Sequence, residues 1–189
     1  MSKLAWMGAV LCLGGCVLAK DDGNDGIKTD DWDYPNVAPL DFGQALDAPI
    51  ANCAPTPPTP TGDPYEDCVT RINQLRWECQ KYPPLERWPE GEGCADQHAE
   101  YDSTATEYHA GFAAVICKPG GMAQNECPGW DSKEMIRADC MQLMWDEGPG
   151  EDFHAHGHYL NMTNRSFTHV ACGFFTTPGG DVWSVQNFY

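Results

Sequence analysis

Basic residues are scarce in this chain. Lysine and arginine number 11 against 28 aspartates and glutamates, a formal net charge of −17 over 189 residues and a pI near 4.4. Without excess cations to neutralise phosphates, a nucleic-acid-binding role is excluded. Polybasic attachment to anionic membranes is excluded on the same ground. Past the N-terminus no apolar stretch is long enough to cross a bilayer. There is no CxxC pair, which argues against a cysteine-based metal cluster. HExxH and GxSxG are also missing, so no common hydrolase signature is present. No internal repeat is seen.

Cysteine itself is abundant, ten in all, which is high for a reducing cytosol. Hydrophobic residues make up 42%, enough for a globular core, and the length suits one domain plus extras. Lys3 precedes an apolar run over residues 4–18, too short for a membrane span and suited to a signal sequence. Two exits are readable within 1–19. Leu13-Gly14-Gly15-Cys16 fits a bacterial lipobox with Cys16 as the lipidated residue; Val17-Leu18-Ala19 fits ordinary signal peptidase. The expected location is therefore extracytoplasmic, with any membrane attachment made through the lipid.

Eight cysteines remain after either exit: Cys53, Cys68, Cys79, Cys94, Cys117, Cys127, Cys140 and Cys172. In an oxidising compartment they allow up to four disulfides, and the sequence leaves the connectivity open. Residues 20–62 read as a polar, Pro-rich spacer, with Cys53 expected to staple it to the body. Its segment Pro55-Thr56-Pro57-Pro58-Thr59-Pro60 favours an extended, stiff chain.

The globular part is expected over 63–189. Asp63-Pro64-Tyr65-Glu66 starts a helix in capping-box fashion. The stripe Cys68, Ile72, Leu75, Cys79 gives it one apolar face, and Pro83-Pro84 stops it. A second helix is expected over 93–108 and a loop over 110–130. A third helix should be capped by Asp131, with Ile136, Cys140 and Leu143 on its buried face and Gly148-Pro149 at its end. Glu147 continues that face in the last turn, where the helix dipole disfavours an acid, so it calls for a cation, a metal or a proton. Three strand-like runs, 157–162, 168–176 and 181–188, complete an α+β order, the last two joined as a hairpin.

Phe153-His154-Ala155-His156-Gly157-His158-Tyr159 is the strongest chemical signal. In an extended segment His154, His156 and His158 share one face, a pattern suited to a metal. His109 and Glu126 do not stand out alone.

Taken together, Trp145-Asp146-Glu147, Gly157-His158-Tyr159 and Thr168-His169-Val170-Ala171-Cys172-Gly173-Phe174 resemble the CAP superfamily. This group contains the cysteine-rich secretory proteins, antigen 5 allergens and pathogenesis-related proteins, and its domain is also called SCP. Arg71-Ile72-Asn73, Asn125-Glu126 and Val182-Trp183-Ser184-Val185-Gln186-Asn187-Phe188 extend the likeness over roughly residues 66–189. The nearest flavour is the bacterial exported branch.

The resemblance implies a disulfide-rich α-β-α sandwich with a small central antiparallel sheet. It also implies a cleft of two His and two Glu, carried here by His109, Glu126, Glu147 and His158. That cleft would hold a divalent metal, zinc above all, with His154 and His156 as additional candidates. Leu160-Asn161-Met162-Thr163 departs from the family's usual continuation after Gly-His-Tyr, and the second signature is absent. The favoured role is a non-enzymatic binding module that takes a lipid or other hydrophobic ligand, or a protein partner. The alternatives are a metal-dependent hydrolase, protease or esterase, using the same cleft, and a structural envelope protein. Ser103 and Ser166 have no motif around them that would make either a nucleophile.

Overall fold

Residues 45–189 are described in a computed structural model. The segment expected to carry the signal peptide, Cys16 and residues 20–44 lies outside the described residues. Helix α1 spans Pro64–Gln80. Asp63 caps it, its carboxylate accepting from the amides of Tyr65 and Glu66. Cys68, Ile72, Leu75 and Cys79 are all buried along one face, as the spacing requires. The chain leaves through Lys81 in a left-handed conformation.

Residues 45–62 lie against this helix and its neighbour. Arg71 donates to Pro55 O at 2.8 Å, Gln74 to Thr56 O at 2.8 Å and Gln142 to Cys53 O at 3.0 Å. Arg137 donates to Pro58 O. Prolines cannot donate, so their carbonyls are the natural handles for these side chains. The Cys53–Cys79 disulfide completes the attachment.

Strand β1 (Glu86–Arg87) pairs parallel with β3 (His169–Thr176). β3 pairs antiparallel with β4 (Val182–Phe188), and β4 with β2 (Ala123–Trp130). The sheet order is β1-β3-β4-β2, which leaves β2 at an edge. Helix α2 (Pro89–Asp102) covers one face, and Ala95 and Ala99 meet Ala171 and Val185 there. The approach is close: a Cβ on Gly173 would stand 2.1 Å from the Ala95 carbonyl carbon. Helix α1 and the later helices bury the main core on the other face, so the architecture is an α-β-α sandwich.

All eight candidate cysteines pair, as Cys53–Cys79, Cys68–Cys172, Cys94–Cys117 and Cys127–Cys140.

Several local expectations are corrected. The second helix runs over 89–102 rather than 93–108, because Pro89 starts it and a turn after Asp102 ends it. The expected loop over 110–130 contains a short helix, α3 (Ala110–Ala113), and strand β2. The third helix is capped by Ser132, whose hydroxyl accepts from Met135 N, and not by Asp131.

That helix comprises α4 (Lys133–Met135), a π-helical turn (Ile136–Cys140) and α5 (Met141–Asp146). The Met141 amide reaches back to Ile136 O. The inserted residue rotates the buried face by about 100°. Leu143 is therefore 60% exposed, and Met144 and Trp145 are buried instead. Residues 157–162 form no strand: they belong to helix α6 (Phe153–Thr163), capped by Asp152.

Candidate functional site

Strand β2 organises the site. Alternation along the strand sends Gln124 and Glu126 toward α2 and α3, and Asn125 toward α6. His109 precedes α3 in a left-handed conformation, φ 58°. Its backbone amide donates to Glu126 Oε2 at 2.7 Å, and its ring Nδ1 lies 2.8 Å from Gln124 Oε1. On the other side Asn125 donates to His158 O at 3.1 Å and accepts from Asn161 Nδ2 at 2.9 Å. One three-residue stretch of β2 thus holds both sides of the site.

Glu147 is the C-cap of α5. The side chain finds its counter-groups midway along α6. Oε1 meets His158 Nδ1, and Oε2 accepts from the amides of His158 and Tyr159. This answers the unfavourable dipole at its own helix end.

The four residues His109, Glu126, Glu147 and His158 therefore form two His–carboxyl pairs beside one edge strand. They do not form a single four-donor cluster. The pairs are close enough for a positive charge on His158 to disfavour protonation of His109.

Burial dominates the electrostatics. His109 is 3% exposed, and its pKa falls to about 4, chiefly by desolvation, against the supporting Gln124 contact. Glu126 is 4% exposed, and its pKa rises to about 8, chiefly by desolvation and then by the Asp102 charge. Their 3.5 Å approach is thus not an ion pair at neutral pH, because both groups are uncharged there. Glu126 Oε1 is buried with no hydrogen-bond partner among the described residues. Asp102, also buried, caps Gly111 N at 2.7 Å, and desolvation raises its pKa to about 6. Its Oδ2 is likewise without a partner among the described residues.

The histidine run does not act as a strand. On α6, His154 and His158 fall on one face at i, i+4, and His156 turns away by about 200°. His156 Nδ1 is 2.6 Å from Glu147 O and 2.9 Å from Gly148 O, where it caps the end of α5. His154 is exposed. The extended-face triad of 154, 156 and 158 is therefore corrected, because Asp152 nucleates a helix at this point.

Sequence reasoning missed Gln124, His98, Asp102 and Asn187, which form the buried polar surroundings of His109. Cys94, His98 and Asp102 stand at i, i+4, i+8 on one face of α2, a signal that was available in the sequence. Among the described residues, only the donor atoms of Cys94, His98 and Cys117 cluster as three within 4.8 Å. Cys94 and Cys117 are joined in a disulfide, so neither offers the thiolate a metal would need. We read this cluster as a covalent cross-link with a histidine beside it.

The tetrad offers a divalent ion two imidazoles. Both rings have Nδ1 held by a side-chain oxygen, His109 by Gln124 and His158 by Glu147, and no described residue hydrogen-bonds either Nε2. Outer partners on Nδ1 with Nε2 left over is the arrangement of metal-ligating histidines. His109 stays neutral, as a ligand must. The orphaned Oε1 of Glu126 is a further oxygen donor. No three donors of the tetrad lie within 4.8 Å of one another among the described residues, so what the side chains offer an ion is two oriented imidazoles with an acid beside each.

Away from the tetrad, an open groove of about 460 Å³ is lined by Pro60, Pro64, Ile136, Met141 and Phe174 together with the charged side chains of Asp67, Lys133, Glu134 and Arg137. The Lys133 ammonium lies over the Phe174 ring. No described helix is long and apolar enough to cross a membrane.

The model of the cysteine-rich secretory protein family, CAP, matches residues 69–188. Among solved structures the chain is similar to Na-ASP-1, at 16% identity and TM-score 0.50, over 77% of this chain and 43% of that one. This chain thus spans less than half of Na-ASP-1. BmVAL-1 is similar at 14% identity and TM-score 0.49, over 72% of this chain and 80% of that one, and Schistosoma mansoni venom allergen-like protein 4 at 14% and 0.38, over 67% and 83%. Comparison with curated protein sequences returns no match.

Proposed function

The chain belongs to the cysteine-rich secretory protein (CAP) family, and on that premise we propose that it is an extracytoplasmic binding module with a divalent-metal cleft. The observation that carries the reading is the paired holding of His109 and His158. Each ring is fixed through Nδ1 and keeps Nε2 free of protein partners among the described residues. When bound, a zinc ion would supply a positive centre for a polar ligand group. His109 and His158 would hold it, with Glu147 orienting His158 and the neutral carboxyl of Glu126 beside His109.

Four disulfides support export, since cross-links of this density persist in oxidising compartments. Lipid anchoring through Cys16 in a bacterial envelope is the accompanying proposal. A hydrophobic small molecule is the favoured ligand class and a protein partner the other; the 460 Å³ groove is lined by apolar and charged residues alike and does not choose between them.

The hydrolase alternative gains no specific support. Ser103, at the end of α2, spends its hydroxyl on Glu100 O, and Ser166 lies in an exposed turn.

Equilibrium dialysis against zinc tests the metal reading. The mature protein should retain about one equivalent. His109→Ala and His158→Ala should each lose it. Retention by both variants would refute the cleft. Turnover of casein or an ester panel that disappears in Glu147→Gln would instead establish the hydrolase.

A further inference from the structure

Behind His109 lies a chain of buried amides and rings that ends at a disulfide. Gln124 Oε1 is 2.8 Å from His109 Nδ1, and Gln124 Nε2 is 3.0 Å from His98 Nδ1 and 2.9 Å from Asn187 Oδ1. Asn187 Nδ2 is 3.2 Å from the same His98 nitrogen. His98 Nε2 is 3.8 Å from Cys94 Sγ, half of the Cys94–Cys117 disulfide. Gln124, Asn187 and His98 are all buried.

These contacts are directional. A carboxamide donates only through nitrogen and accepts only through oxygen. Two NH₂ groups converge on His98 Nδ1, so that atom accepts, and the His98 proton sits on Nε2. Gln124 Oε1 accepts, so the His109 proton sits on Nδ1. Turning both amides over would also close the network, with both tautomers reversed. The two ends decide between these arrangements. A disulfide sulfur has no proton to give, so it favours N–H on His98 Nε2. Glu126 Oε2, already accepting from His109 N and 3.5 Å from the ring, favours N–H on His109 Nδ1.

We propose that Gln124 is the positioning residue of the cleft: anchored by His98 and Asn187, it holds the His109 proton on Nδ1 and so presents Nε2 to a metal. This rests on the reading of the cleft as a metal site, but the tautomer is a property of the metal-free protein and is measured without zinc. A glutamine that merely filled space would not dictate which nitrogen of a neighbouring ring carries the proton.

The test is long-range ¹H–¹⁵N NMR of the histidine rings in the disulfide-intact, metal-free protein near pH 7. Wild type should show Nδ1–H for His109 and Nε2–H for His98. In Gln124→Glu, read at a pH high enough to ionise residue 124, both sides of that residue become acceptors. His109 should then keep Nδ1–H, and His98 should switch to Nδ1–H. In Gln124→Leu the His109 restraint is lost, its tautomers should mix, and zinc affinity should fall roughly 10- to 100-fold.

Wild-type His109 found as Nε2–H overturns the proposal. So does a Gln124→Glu protein, ionised at residue 124, whose His98 does not respond. If Gln124→Leu fails to fold, wild type and Gln124→Glu still decide the matter. A wild type with the stated tautomers and no zinc binding removes the metal reading and leaves the positioning assignment standing.

Discussion

Replacing Glu126 with glutamine isolates the most perturbed acid of the site. The amide oxygen can still accept from His109 N, so the local backbone contact survives. Only the titrating proton is removed. In the native state this carboxyl titrates at about 8, well above the ordinary 4.5. The native protein therefore holds the proton through a range in which the unfolded chain has released it. For a group raised in this way, stability is full below pH 4.5 and is lost as pH rises to 8. Asp102, raised to about 6, acts in the same direction at lower pH. His109, lowered from 6.5 to about 4, acts oppositely: the native state gains stability as pH rises between those values.

Above pH 6.5 both of these groups have finished, and Glu126 is the one of the three still moving. At about 1.4 kcal/mol per pH unit, wild type should lose about 2 kcal/mol between pH 6.5 and 8. Glu126→Gln should be nearly flat over the same range. Urea unfolding with a chelator present, at intervals of half a pH unit, reads both curves. A flat wild type would refute the reasoning, and so would a variant with the wild-type slope.

Other perturbations address the frame around the site. Gly173→Ala would drive a methyl to 2.1 Å from the Ala95 carbonyl carbon and 2.4 Å from Asp96 N, both backbone, and should cost about 3 kcal/mol in chemical denaturation. Cys68→Ala/Cys172→Ala opens a cross-link with a separation of 104 residues and should cost about 4–5 kcal/mol; Cys127→Ala/Cys140→Ala, with a separation of 13, should cost about 3 kcal/mol. His156→Ala removes the cap on the Glu147 and Gly148 carbonyls and should lower stability by about 1 kcal/mol without loss of zinc binding.

Much of the frame was legible where side-chain periodicity governs. The α1 stripe and its Asp63 cap follow from spacing alone, and the terminal hairpin from Thr177-Pro178-Gly179-Gly180 between apolar runs. Strand β2 was not legible, because Ala123-Gln124-Asn125-Glu126 has little strand propensity and is held by the β4 ladder and by buried amides. The histidine run was misread for a related reason: strand spacing and helix spacing both place His154 and His158 together, and only the Asp152 cap decides between them. Leu143 was misplaced because a π-turn has no sequence mark of its own. Within the site, His109 and Glu126 emerged only through resemblance. The ring partner of His109 is Gln124, an uncharged residue that a search for paired acids passes over.

Joint holding of a divalent ion by His109 and His158 is open to direct measurement. Zinc calorimetry near pH 7.5 tests it on three disulfide-intact mature proteins: wild type, His109→Ala/His158→Ala and His154→Ala/His156→Ala. Wild type should bind about one equivalent with micromolar affinity, retained in His154→Ala/His156→Ala and abolished in His109→Ala/His158→Ala. Binding that survives loss of His109 and His158, or that vanishes with His154 and His156 alone, would contradict it.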